Sequence, residues 1–103
     1  MRNTRYAREL ETVIAGDPTD HHARLERLWV KDPGQVEIRF SWWNGGQMQI
    51  RPLDIEEPAL LELLEKGIVG GIFSADFLFK LTRILLTSPV KVASEVPAEV
   101  PPQ

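Results

Sequence analysis

His21 and His22 are the two histidines of the chain, and Asp17 and Asp20 lie close by. Imidazole and carboxylate side chains together are the raw material of a metal site. Adjacent residues, however, point about 100° apart on a helix and to opposite faces on a strand. The spacing therefore predicts two solvated loop histidines, with no metal ligand among them.

Asp54, Glu56, Glu57, Glu62 and Glu65 form the densest run of acids. Paired carboxylates can act as general acid and base, but only in a cleft that pushes their pKa values apart. Here a leucine-rich face accompanies them, so they read as the solvated side of a helix. Ser41, Ser74 and Ser88 lack a G-x-S-x-G context. Gly67-Ile68-Val69-Gly70-Gly71 precedes a helix start, where backbone N–H groups can hold a phosphate. The chain carries neither G-x-x-x-x-G-K-[ST] nor G-x-G-x-x-G there, and the segment reads as a tight connection between two helices. No catalytic residue, cofactor or small-molecule substrate is expected.

Arg2, Arg5 and Arg8 precede every acid in the chain. On a helix they would line one side. With Arg39 and an exposed tryptophan, Trp43, they would offer phosphate contacts and a stacking platform for nucleic acid. The net charge of -3 weighs against that reading.

The elements that must position these groups follow from periodicity. Tyr6, Leu10, Val13 and Ile14 recur at helical spacing, so residues 3–15 are expected to form a first helix ending at Gly16. Leu25 to Val30 fits a helix or a strand; a strand is preferred, because a third strand would complete a sheet. Val36, Ile38, Phe40 and Trp42 alternate with Glu37, Arg39, Ser41 and Trp43. That predicts a strand with Val36 to Trp42 buried and Trp43 on the wetter face. Asn44-Gly45 predicts a tight turn with both central residues at positive φ. The strand then returns through Met48 and Ile50, and Pro52 ends it or keeps it on an edge.

Pro58 suits a first helical turn, Leu60, Leu61, Leu63 and Leu64 supply the apolar face, and Gly67 is expected to end the helix. Ser74 is a good N-cap for a helix over 75–87. That helix carries Phe77, Leu78, Phe79, Leu81, Ile84, Leu85 and Leu86, and Lys80, Thr82 and Arg83 interrupt its apolar surface. Residues 88–103, with Pro89, Pro97, Pro101 and Pro102, are expected to be disordered.

The expected fold is α+β: a short antiparallel sheet of two or three strands packed by about three helices, one domain over 1–87. Hydrophobic residues make up 43% and charged residues 26%, ordinary values for a globular chain. Absence of cysteine excludes disulfides and thiolate chemistry and fits a reducing compartment. The polar N-terminus does not resemble a secretory signal, and no run of about 18 apolar residues predicts a membrane span. A cytoplasmic, non-catalytic interaction module is expected, a homodimer or one docked on a protein partner. Trp43, Phe77, Phe79 and Leu86 are its expected contact residues, because a helix apolar on most sides needs cover. The alternative is a small nucleic-acid-binding regulator using Arg2, Arg5, Arg8 and Arg39.

Overall fold

The structure, a computed structural model, describes residues 2–93. They fall into two compact units, residues 2–57 and 58–93. The chain is α+β, with five strands and two helices among the described residues: β1 Ala7–Gly16, β2 His21–Val30, β3 Gln35–Asn44, β4 Gln47–Met48, β5 Leu53–Ile55, α1 Glu57–Val69 and α2 Ala75–Thr87. This corrects the expectation of two or three strands under three helices.

The first unit is one antiparallel sheet in the order β1-β2-β3, with β4 and β5 both on the far side of β3. The segment expected as a first helix is strand β1. Its register against β2 slips between Glu9 and Glu11, leaving Leu10 as the extra residue of a bulge. A bulge reverses the parity of every residue beyond it. Val13, opposite Leu25, and Ile14, opposite Arg24, lie on opposite faces of the strand, so the helix-like spacing of Leu10, Val13 and Ile14 marks no single face. Leu25 to Val30 belongs to strand β2, the preferred alternative.

The hairpin after β3 turns one residue later than expected. Asn44 pairs with Gln47, so Gly45 and Gly46 are the two central residues. Gly45 has φ +58, whereas Asn44 and Gly46 do not lie at positive φ. This matches a turn with positive φ at its first central position only, where glycine is favoured. The returning strand breaks after Met48 and resumes at Leu53, just past Pro52, which has no N–H for the ladder.

Pairing assigns side chains to faces. Thr12, Glu26, Arg39 and Asp54 make one row across β1, β2, β3 and β5, and Val13, Leu25, Phe40 and Leu53 make a row on the opposite face. The polar row lies on the covered face. There Leu28, Val30, Ala7 and Trp43 are buried together with His22, Glu26 and Ser41. Each residue of the apolar row is exposed.

In the second unit, α1 continues two residues beyond Gly67, the expected end. Gly71, at φ +80, is the left-handed residue that closes it, and the Ile72 N–H bonds the Gly67 carbonyl at 3.0 Å. That 6→1 bond marks a Schellman termination. The Phe73 ring lies over Gly67, 3.1 Å from where a β-carbon would stand, and stacks on Phe77 at 4.8 Å between centroids. Helix α2 has the expected bounds. Ser74 caps it by accepting a hydrogen bond from the Phe77 N–H at 3.1 Å. Ser88, held extended before Pro89, ends it. Most of the expected disordered segment, from residue 94 on, lies outside the described residues.

Candidate functional site: interaction surfaces

On the covered face of the sheet, charge is neutralised locally. Arg39 donates two hydrogen bonds to Asp54, Nε to Oδ1 at 2.7 Å and the second nitrogen to Oδ2 at 2.8 Å. The Arg39 bond, ahead of the burial that opposes it, holds the Asp54 carboxyl below its ordinary range, and the same bond raises Arg39. Tyr6 donates its hydroxyl to Asp54 at 3.1 Å, and burial followed by that bond pushes its phenol up.

Arg2 folds back over the sheet and reaches Glu26 at 3.3 Å and Glu9 at 3.4 Å. Burial alone would raise Glu9. The Thr12 hydroxyl and the backbone and guanidinium of Arg2 outweigh it and lower its pKa. Glu26 is 1% exposed, and its Oε1 has no hydrogen-bond partner among the described residues.

Trp43 was expected as an exposed anchor, and the structure corrects this: it is 6% exposed. The Arg24 guanidinium lies 3.8 Å from its ring centroid, Arg2 lies 5.5 Å away, and His22 stacks at 6.2 Å. Its indole N–H donates to the Ser41 hydroxyl at 2.8 Å. His22 is itself buried, with Nδ1 3.0 Å from the Asp20 carbonyl and Nε2 accepting from Arg24 at 3.0 Å. Both ring nitrogens are committed, so His22 serves packing rather than metal binding. Trp42, expected in the core, is 56% exposed.

Arg2, Arg5 and Arg8 do not share a helix face. Arg2 and Arg5 lie on the arm before β1, and Arg8 lies on β1 opposite Trp29. Arg2 and Arg39 are held by carboxylates on the covered face. Asp54 serves Arg39, Glu57 accepts from Arg27 at 2.9 Å, and Glu62 pairs with Lys66 at 3.0 Å. Among the described residues no group of three His, Cys, Asp or Glu could hold a metal ion. A cleft of about 50 Å³ beside Arg2, Thr4, Ala7, Glu9, Leu28 and Arg39 has room for a few waters.

Two apolar surfaces stand open instead. One is the sheet face of Val13, Leu25, Phe40, Trp42 and Leu53. Alternation within β3 marked its residues as a set, but not as uncovered. The other is the helical unit, where neither α1 nor α2 contains a buried residue. Of the expected contact residues, Phe77 is half-covered by Phe73, whereas Phe79 is 67% and Leu86 79% exposed. No helix among the described residues is long and apolar enough to cross a membrane.

Compared with family models, curated proteins and solved structures, the chain matches none.

Proposed function

We propose that this chain is a non-catalytic assembly module that self-associates, or docks on a protein partner, through the apolar surface of α2. One observation carries the reading: α1 and α2 hold no buried residue, although α1 carries four leucines and an isoleucine, and leucine, isoleucine and phenylalanine make up most of α2. Helices of this length are marginal alone in water and gain their stability from a packed apolar face. Contiguous exposed apolar patches on soluble chains mark contact sites. Phe77, Phe79 and Leu86 are its contact residues, and Trp43 is withdrawn from that set. A cytoplasmic location belongs to the proposal and is supported by the absence of cysteine.

The test is absolute mass by light scattering on a sizing column, with capture of partners in parallel, for the wild-type chain and a Phe79→Glu, Leu86→Glu variant. The variant should lose assembly or partner capture while keeping its sheet. Unchanged assembly and capture would refute the reading.

A further inference from the structure

The two helices carry the same pattern with opposite charge. In α1, Leu61, Glu65 and Ile68 stand at i, i+4 and i+7; in α2, Phe79, Arg83 and Leu86 do the same. At 100° per residue each trio occupies one stripe about 60° wide. The four apolar members are exposed, Leu61 at 69%.

The remaining charges near these stripes are satisfied within each helix. Lys66 pairs with Glu62 at 3.0 Å and Lys80 with Asp76 at 3.1 Å, both at i,i+4. Glu65 and Arg83 have no ion pair among the described residues. Each helical unit thus presents one unpaired anion and one unpaired cation, each at the centre of an exposed apolar stripe.

An isologous dimer brings residue i of one copy to residue j of the other, and j to i. Two stripes of equal spacing and opposite sign satisfy that condition within a single chain. Resting on the assembly reading above, we infer that the occupant of this surface is a second copy of the chain. Leu61, Glu65 and Ile68 of one copy pack against Phe79, Arg83 and Leu86 of the other, and Glu65 pairs with Arg83 twice across the two-fold axis. Like-signed stripes repel, so α1 against α1 and α2 against α2 are disfavoured, which fixes the pairing.

The test is dimer dissociation measured by sedimentation over a concentration series, with helix content checked by circular dichroism. Glu65→Arg and Arg83→Glu are made singly and together. Each single reversal replaces two attractive pairs by two repulsive ones and should weaken the dimer about tenfold. The double reversal should return to within about threefold of wild type, because it restores opposite charges.

A wild-type chain that stays monomeric at every concentration overturns the inference. So do single reversals without effect, or a double variant no better than the singles. If the reversals have no effect while Phe79→Glu abolishes assembly, the assembly reading stands and this pairing falls. If Phe79→Glu also changes nothing, both fall.

Discussion

Arg39 on β3 and Asp54 on β5 face each other in register and meet as a two-pronged fork, at 2.7 and 2.8 Å. The pair ties the short fifth strand to the sheet just past Pro52. Bidentate geometry adds direction as well as energy, which an isolated surface pair lacks.

Its pH dependence follows from the sign of the shift. Asp54 titrates lower in the folded chain than its ordinary value, with the Arg39 bond as the leading cause. The folded state therefore gains stability from it that is complete above the unfolded value, about pH 4. That gain is lost as pH falls through the lower, folded value. Denaturant titrations from pH 7 to pH 2 should show stability declining in the acid range. Asp54→Asn should start lower by about 1 kcal/mol and decline less steeply.

Glu26 is the residue most dependent on its partner. It is buried, one of its oxygens is unsatisfied, and Arg2 reaches the other. Arg2→Ala should destabilise the sheet unit by about 2 kcal/mol, because it leaves a buried charge unpaired. The same substitution in a Glu26→Gln background should cost less than half of that. Equal costs in the two backgrounds, read from urea unfolding, would show that the Arg2 contact contributes nothing.

The two adjacent tryptophans should behave oppositely. Trp43→Ala removes a buried ring packed by Arg24 and His22 and should cost about 3 kcal/mol. Trp42→Ala removes an exposed one and should cost under about 1 kcal/mol. Thermal unfolding of both variants checks the order, and a reversed order would place the covered face of the sheet on the other side.

At the β3–β4 turn, Gly45→Ala should cost about 1 kcal/mol, because φ +58 is strained for a residue with a β-carbon. Gly46→Ala should be near neutral, since its φ is not positive and a β-carbon there meets nothing within 4 Å. Comparable losses at both positions in chemical denaturation would contradict the observed turn.

Helix α2 depends on its cap. Ser74→Ala removes the acceptor of the Phe77 N–H and should cost about 1 kcal/mol of helix stability. Ser74→Asp should hold or raise helix content, since aspartate caps as well as serine. Far-ultraviolet circular dichroism on heating separates the two.

The sequence by itself determined whatever depends on near neighbours. The Ser74 cap and the stop before Pro89 set the bounds of α2, because the groups that satisfy its ends lie within a turn of them. The alternation from Val36 to Trp43 set β3 and placed Trp42 and Trp43 on opposite faces, since a strand has period two. Tertiary structure decided the rest. The bulge at Leu10 is visible only as a register slip against β2, and without that partner the spacing of Leu10, Val13 and Ile14 reads as a helix. Which face of β3 is covered was likewise not local. A period-two pattern says which residues share a face, but cover comes from segments distant in sequence. Here Arg2 and Arg24 fold over Trp43, and the Arg2–Glu26 and Arg39–Asp54 pairs lie along the polar row. The apolar row of Val13, Leu25, Phe40 and Leu53, on the opposite face, is exposed.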